Sequence, residues 1–582
     1  MGANVSNSFG GRRQQRRVRS DQQASSSSLS SRRTSQSSSS ISHFASGVMS
    51  AFGSRVDRSE NGNEYETSGG ERNSLTSNAD LSGVLQYLIR RGHIRLVYDV
   101  YVDDSDDEDM YRHSMRSTQR NRSYVPSGDP MPDTSIIDQS DFKQITQLQS
   151  GLGNKSSEKV PSIMATLRDR EYGLLGSKVG GRSSLCLQNS GKCVFGGIFL
   201  PNKLSTIEQY PSKAFCGFFA KDGMSFLTAC QDCIIRLYDT RRGKFHLRKT
   251  VWARDVGWSI LDTDISPDGE HFIYSSWSEC IHICNVYGQN EAHEALPLNP
   301  TERRFCLFSL RFSLDGKEIL GGANDECLYI YDLQLNSRVL RIKSHDDDVN
   351  SVTFADQSSQ ILFSAGDDGL CKVWDRRTLS ESNPRAVGIF AGHSDGITYI
   401  DSKEDGRHLI TNCKDQTIKL WDMRSFSPMH GADATRKAVS KQNWDYRWQA
   451  VPRKLYSNRK KLEGDTSLMT YRGHSVQQTL IRCRFSPAFT TGQRFIYTGC
   501  ASGRVVIFDA LTGTIVKTLS GHRACVRDVS WHPMSPQLIS TSWDGSICEW
   551  SYIDETLRSE IEDSNGVQLP KAKRTVTSQS FE

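Results

Sequence analysis

The chain has 582 residues, of which 36% are hydrophobic and 24% are charged, and 72 Lys and Arg against 67 Asp and Glu give a net charge of +5. This excess is too small to indicate nucleic-acid or membrane binding by itself, and no apolar run approaches the ~18 residues of a transmembrane helix. Because the N-terminus has no apolar segment typical of a secretory signal, we expect the fifteen cysteines to be reduced thiols.

Residues 1–79 are predicted to form a disordered tail that is rich in Ser and Arg. Ser fills eleven of the positions 21–40, and large apolar side chains are nearly absent there, so little surface can be buried to offset the entropy of ordering. The Arg blocks favour either a solvated tail or a nuclear signal. The opening residues fit the N-myristoylation pattern with Gly2 as acceptor, and a single acyl chain would give only weak membrane association.

Residues 80–190 are predicted to be an acidic linker with short helices. A first helix is predicted to follow Asp80, which can cap its N-terminus. The apolar face of this helix would either pack on this chain's own domain or dock on a partner protein. A second helix is predicted around Phe142 and Leu148, and the acidic run at 103–109 is expected to be a solvated spacer. The apolar residues that recur at helical spacing in the first helix are Leu81, Val84, Leu85 and Leu88.

Between residues 191 and 553 one sequence motif is repeated. Its seven copies end at positions 239, 285, 332, 375, 422, 509 and 551. A period of ~40–45 residues with Gly-His and Trp-Asp marks predicts an all-β fold, a seven-bladed WD-repeat β-propeller with four strands per blade. The longest step contains an insertion at 425–470, and an eighth, degenerate blade there is the alternative. Residues 195–199 are expected to supply the strand that closes the ring, and 554–582 a second disordered tail.

Histidine, aspartate and tryptophan recur in register within the repeats. In an enzyme a His–Asp pair would suggest catalysis, but recurrence in several blades favours a structural hydrogen-bonded cluster. The CxxC at 230–233 has no second CxxC to complete four ligands, so we expect no metal and no cofactor. Catalytic signatures such as the P-loop or HExxH are also lacking, which favours a rigid binding platform over an enzyme. The predicted structural residues are His393, Asp415, Trp421, His522, Asp544, Trp550, Asp368 and Trp374.

Two further patterns point to binding surfaces. Trp-Asp-x-Arg boxes at 374–377 and 421–424, with a variant at 238–241, come partly from consecutive blades, so their arginines should lie on one rim. Alternatively, each Arg only neutralises the Asp of its own blade. The insertion combines cations with aromatic residues, which is typical of a recognition loop, although aromatic residues can simply pack on a blade. These insertion residues are Trp444, Tyr446, Arg447 and Trp448.

The boxes resemble those of the WD-repeat substrate receptors of cullin-4 RING ubiquitin ligases. Longer phrases at 213–217, 253–259, 442–449 and 526–533 are similar to members of this family as well. The resemblance implies that the propeller docks on the ligase adaptor, the large subunit of the damaged-DNA-binding protein, and presents an unknown protein substrate without performing the transfer. It implies adaptor contacts for the box residues and for the first helix, and substrate contacts for the insertion. The adaptor candidates are Asp375, Arg377, Asp422, Arg424, Arg241, Leu81, Val84, Leu85 and Leu88.

The expected partners are therefore proteins, without a small-molecule substrate, and nucleic acid and membranes are not favoured. The second interpretation is a general WD-repeat scaffold that binds nucleic acid or a membrane surface through its basic tail. Basic clusters in both tails, including residues 571–574, favour residence in the nucleus as well as the cytoplasm.

Overall fold

In the computed structural model, residues 127–152, 189–288, 292–301 and 304–554 are described. Within them, 28 strands form seven four-stranded antiparallel sheets, and the first strand of each sheet contacts the first strand of its neighbours around a ring. The predicted seven-bladed β-propeller is thereby confirmed. No helix within these residues is long and apolar enough to span a membrane.

The first four blades follow one another without interruption. Strand β1, Lys203–Gln209, precedes them. Blade 1 contains β2 to β5, Ala214–Phe219, Ser225–Cys230, Ile234–Asp239 and His246–Trp252. Blade 2 contains β6 to β9, Asp262–Ile265, His271–Ser275, Cys280–Asn285 and His293–Pro297. Blade 3 contains β10 to β13, Leu307–Phe312, Glu318–Ala323, Cys327–Asp332 and Ser337–Lys343. Blade 4 contains β14 to β17, Val349–Phe354, Ile361–Gly366, Cys371–Asp375 and Gly388–Phe390.

Three more blades complete the ring. Blade 5 contains β18 to β21, Ile397–Ser402, His408–Cys413, Thr417–Asp422 and Met469–Arg472. Blade 6 contains β22 to β25, Cys483–Phe485, Phe495–Gly499, Arg504–Asp509 and Ile515–Ser520. Blade 7 contains β26 to β28, Val526–Trp531, Leu538–Ser542 and Ser546–Ser551, and β1 is its fourth strand. The helices are α1 Ser135–Gln139, α2 Asp141–Ser150, α3 Asn189–Ile198, α4 Met429–Val439, α5 Arg453–Ser457 and α6 Ala488–Thr491.

The ring closes because the segment before blade 1 completes blade 7. Strand β1 runs antiparallel to β28, with Lys203 opposite Ser551 and Gln209 opposite Ser546. The strand predicted at 195–199 is wrong, because residues 195–198 belong to α3. Helix α3 packs so closely on α6 that a Cβ atom at Gly196 would overlap the carbonyl oxygen of Thr490. The absence of a side chain at Gly196 thus permits this helix packing.

Carboxylates tie the innermost strands of neighbouring blades together. The backbone N–H of Phe312 donates to Asp264 over 2.8 Å, and that of Phe485 donates to Asp401 over 2.8 Å. A buried backbone N–H needs an acceptor, and these contacts supply one across the junctions of blades 2 and 3 and of blades 5 and 6. Burial raises the pKa of Asp401 to about 6 despite the hydrogen bond that it accepts.

The antiparallel order of the strands gives the propeller two distinct faces. Face A carries the hairpins between first and second strands and the turns between third and fourth strands. Face B carries the turns between second and third strands and the links from one blade to the next. The Trp-Asp-x-Arg boxes therefore lie on face A, since each follows a third strand, and the Gly-His segments lie on face B.

The insertion is part of blade 5. It leaves β20 after Asp422 and returns at β21, which pairs with β20 from Thr417 to Leu420. The two helices that it contains, α4 and α5, supply no strand for a further blade. The alternative of an eighth blade is therefore wrong.

A segment before α3, residues 127–152, crosses blades 5 and 6 onto face A, and we call it the strap. Its helix α2 is the helix predicted around Phe142, and it ends at Gly151, whose φ is 77°. Ile137 and Phe142 are completely buried in a cluster with residues of blades 5 and 6. The predicted tail at 1–79, the helix with Leu81, Val84, Leu85 and Leu88, and residues 555–582 lie outside the described residues, as does Gly2.

Candidate protein-docking site

The three box arginines project from equivalent turns of face A. In each turn the Asp that ends the third strand accepts a hydrogen bond of 3.0 Å from the backbone N–H of the Arg two residues later. This short turn places the arginine side chain at the rim in every blade that has a box. The exposed fractions of the side chains of Arg241, Arg377 and Arg424 are 53%, 66% and 68%.

In blade 4, Arg377 folds back on the aspartate of its own box. Its Nε donates to Asp375 Oδ1 over 2.9 Å and its Nη2 donates to Asp375 Oδ2 over 2.7 Å. These hydrogen bonds hold the pKa of Asp375 below its usual value. The paired guanidinium is nevertheless exposed on the rim, because the whole turn projects from the blade.

In blade 5, the box aspartate is bound by an arginine from outside the box. Arg407 donates from Nε to Asp422 Oδ1 over 2.9 Å and from Nη2 to Asp422 Oδ2 over 2.6 Å. Burial opposes ionisation of Asp422, but the hydrogen bonds from Arg407 outweigh it and lower the pKa of the carboxyl. Arg424 is left to donate from Nη1 to Asp141 of the strap over 3.0 Å.

Sequence reasoning missed Arg407 and Asp141. Arg407 stands immediately before the second strand of its blade, and Arg494 holds the same position in blade 6, where it donates to Asp509 over 2.9 and 2.8 Å. An arginine immediately before the second strand thus indicates that it forms an ion pair with the aspartate at the end of the third strand of the same blade. Asp141 has no comparable signal, since 266 residues separate it from Arg407.

On face B, the insertion is anchored by two of its four predicted contact residues. Trp444 Nε1 donates to Asp395 over 2.9 Å, and the ammonium of Lys414 lies 4.1 Å from the centroid of the Tyr446 ring. Trp448 is 80% exposed, and Arg447 is half-buried beside it. The aromatic residues therefore divide between packing on the blade and facing solvent, on the face opposite to the box arginines.

Two cations at the basic end of the insertion form ion pairs with the strap. Arg459 forms an ion pair with Asp129, and Lys461 Nζ lies 3.4 Å from Asp133 Oδ2. This pairing leaves less positive charge available to an anionic polymer than the run of cations in the sequence indicates.

The predicted structural residues come together in three buried clusters. His393 Nδ1 lies 3.0 Å from Asp415 Oδ2, its Nε2 lies 2.7 Å from Thr411 Oγ1, and Trp421 Nε1 donates to the same hydroxyl over 2.8 Å. The hydroxyl at the centre was missed, because Ser and Thr are common in strands and carry no distinctive spacing. Ser364 holds this place between His345, which pairs with Asp368, and Trp374, and Ser540 holds it between His522 and Trp550, with Asp544 3.5 Å from His522.

These clusters do not resemble a reactive site. Burial opposes the charge on Asp415, but the imidazole of His393 lowers the pKa of this carboxyl below its usual value. Cys413 lies close enough to both side chains to share an ion with them. Burial raises the pKa of this thiol well above its usual value, however, and Cys413 donates to the Asp395 carbonyl over 3.1 Å. The donor set thus fits a closed hydrogen-bonded cluster.

Comparison with known proteins gives a consistent family. The family model "WD domain, G-beta repeat" matches residues 336–375, 384–422 and 513–551. A Caenorhabditis elegans "DDB1- and CUL4-associated factor 11 homolog" is 42% identical over 365 residues, or 61% of this chain and 63% of that protein. A Caenorhabditis briggsae protein with the same description is 37% identical over 67% of this chain and 72% of its own length. A "LEC14B homolog" of Prunus armeniaca is 41% identical over 60% of this chain and 74% of its own.

Proposed function

The chain belongs to the WD-repeat family of the DDB1- and CUL4-associated factor 11 homologues and the LEC14B proteins, and we propose that it is a non-catalytic substrate receptor of a cullin-4 ubiquitin ligase. In this role the propeller docks on the adaptor DDB1, the large subunit of the damaged-DNA-binding protein, and holds a protein while other subunits transfer ubiquitin. The descriptions of the relatives support the assignment, and a rigid ring of repeats is typical of platforms for protein partners.

The observation that carries the proposal is the pair of exposed arginines on adjacent blades of face A. Arg377 and Arg424 project from equivalent turns, and each offers a planar set of N–H donors that suits carboxylate and carbonyl groups. Arg241 projects from blade 1, which is three blades away from Arg377. One partner surface can therefore engage Arg377 and Arg424 together more readily than either of them with Arg241.

Purified DDB1 and the full-length chain test this assignment by biolayer interferometry. Arg377→Ala combined with Arg424→Ala should weaken binding at least tenfold, since well-desolvated charged contacts contribute about 1–3 kcal/mol each. Arg304→Ala with Lys441→Ala removes the same charge from the face B side and should leave binding unchanged. A wild-type chain that does not bind DDB1, or a folded double variant that binds as tightly as wild type, would contradict the proposal.

For the substrate we propose face B, where the insertion presents Arg447 and Trp448. This choice is supported by the exposure of Trp448 and by the separation of this face from the box arginines. Arg447→Ala with Trp448→Ala should reduce ubiquitin-remnant peptides from receptor-dependent proteins in cells, with DDB1 binding retained. Tyr287→Ala, which removes an exposed ring from face A, is the control. Equal remnant profiles for the double variant and wild type would exclude this surface.

For localisation we propose the nucleus and the cytoplasm, with weak membrane association only if Gly2 is acylated. The support is the basic clusters of the two tails and the N-terminal sequence pattern. Substituting Lys571, Lys573 and Arg574 by Ala should lower the nuclear fraction of a fluorescent fusion, and Gly2→Ala should abolish any membrane-pelleted fraction.

A further inference from the structure

The two box arginines on adjacent blades have different conformations, although their turns are equivalent. Arg377 makes two hydrogen bonds to its own Asp375. Arg424 makes none with its side chain to Asp422, and its Nη1 donates to Asp141 instead. The difference must come from residues outside the boxes, because the Trp-Asp-x-Arg sequence is common to both.

Arg407 prevents Arg424 from folding back. It approaches Asp422 with two nitrogens, and the backbone N–H of Arg424 takes a further position on Oδ1. A carboxylate has about four lone-pair sites, so little capacity is left for a second guanidinium. The close cation also repels Arg424 from that carboxylate.

Asp141 then fixes the outward conformation. Its Oδ2 accepts hydrogen bonds from Arg407 Nη1 over 2.9 Å and from Arg424 Nη1 over 3.0 Å. The aspartate cannot easily move away, because the next residue, Phe142, is completely buried against the propeller. Two arginines and two aspartates therefore form a neutral group at the rim, in which Arg424 is held at one of its nitrogens.

We propose that Asp141 and Arg407 are positioning residues of the adaptor-docking site, which hold Arg424 extended so that its Nε and Nη2 donors face an acidic or carbonyl group of the adaptor. This inference rests on the proposed function. Fixing a long side chain before binding avoids an entropic cost that association would otherwise carry. Arg424 is accordingly the stronger of the two box contacts, since Arg377 must release bonds to Asp375 to offer the same donors.

A double-mutant cycle with purified DDB1 and the full-length chain tests the proposal. Asp141→Ala should weaken binding about three- to tenfold, and should have less than a twofold effect when Arg424→Ala is already present. Arg407→Gln frees Asp422 and should weaken binding to a similar degree. Lys143→Ala, also on α2, is the control that should leave binding unchanged. Thermal melting of each variant separates this role from a loss of folding.

The possible outcomes have distinct meanings. An equal effect of Asp141→Ala with and without Arg424 would identify a merely structural role and overturn the proposal. Tighter binding after Asp141→Ala would overturn it too, because Asp141 would then mask Arg424. A wild-type chain without affinity for DDB1 would remove the proposed function itself. Binding by wild type and unchanged binding by Asp141→Ala would remove only this inference.

Discussion

The ring of Phe142 in the strap meets the imidazole of His408 in blade 5 edge-on, with ring centroids 5.0 Å apart. The ammonium of Lys403 lies 4.9 Å from the centroid of the same ring, and no part of the Phe142 side chain is exposed. This contact attaches α2 to the propeller next to Asp141. Within the predicted acidic linker, the strap is therefore an integral part of the folded ring.

We expect Phe142→Ala to lower the free energy of unfolding by about 3–5 kcal/mol, because it leaves a cavity in a closed cluster. Leu148→Ala on the same helix is the control, since Leu148 is 68% exposed and its loss should change stability by less than about 0.5 kcal/mol. Urea unfolding followed by tryptophan fluorescence measures both. Equal midpoints for the two variants would show that the strap does not stabilise the propeller.

Thr411→Val should destabilise blade 5 by about 2–4 kcal/mol, although it hardly changes the side-chain volume. The substitution removes the partner of Trp421 Nε1 and of His393 Nε2, and both atoms then stay buried without a hydrogen bond. Thr512→Val removes an exposed hydroxyl and is the matched control. If the two valine variants unfold at the same urea concentration, the central hydroxyl does not stabilise the cluster.

The buried His–Asp–Trp clusters show which parts of the fold can be predicted from the sequence. The spacing of His393, Asp415 and Trp421 repeats in other blades, so seven sheets and a structural role for these residues could be inferred from periodicity. Thr411 could not be inferred, because the requirement is for any hydroxyl at that strand position. The closing strand β1 also gave no signal: six of its seven residues are exposed, and alternation of apolar residues is absent.

The conformation of Arg424 shows a second limit. The box itself predicts an arginine at the rim, and the structure places it there. Its direction depends on Arg407, which precedes β19, and on Asp141, which reaches it only after the chain has folded. The orientation of an exposed side chain is thus a tertiary property, even where a short motif fixes the backbone.

Arg482→Met should lower the free energy of unfolding by about 2–3 kcal/mol, because it removes the cation that two buried carboxylates share and leaves each of them with one arginine, Arg311 at 3.2 Å and Arg484 at 3.0 Å. Arg482 Nη2 lies 2.5 Å from Asp262 Oδ1 of blade 2, and its Nη1 lies 3.0 Å from Asp528 Oδ2 of blade 7. Lys221→Met, which breaks the exposed pair with Glu404, should cost less than about 1 kcal/mol. A similar small loss for Arg482→Met would show that this network does not stabilise the ring.

Acid should destabilise the protein in part through His474. Burial lowers the pKa of this imidazole from 6.5 to about 4, and Nε2 donates to Asn412 Oδ1 over 2.8 Å in the neutral form. The unfolded chain therefore binds more protons than the folded chain between pH 6.5 and pH 4, so stability falls as the pH falls through that range. At pH 4.5 the loss from this one residue should be about 2–3 kcal/mol.

His474→Gln should lack this part of the acid loss, so its urea midpoint should rise relative to wild type as the pH is lowered from 7 to 4.5.

The contribution of His522 to stability depends on pH in the opposite direction. Burial opposes its charge, but hydrogen bonds to Asp544 and Cys548 raise its pKa to about 9, so its contribution is complete below pH 6.5 and is lost as the pH rises through 9. His522→Gln should therefore reduce the loss of stability on the alkaline side and have little effect between pH 6 and pH 4.5, where Asp544, whose pKa His522 helps to lower, stays ionised. If both variants shift the same limb, the two imidazoles do not differ in the way that their surroundings require.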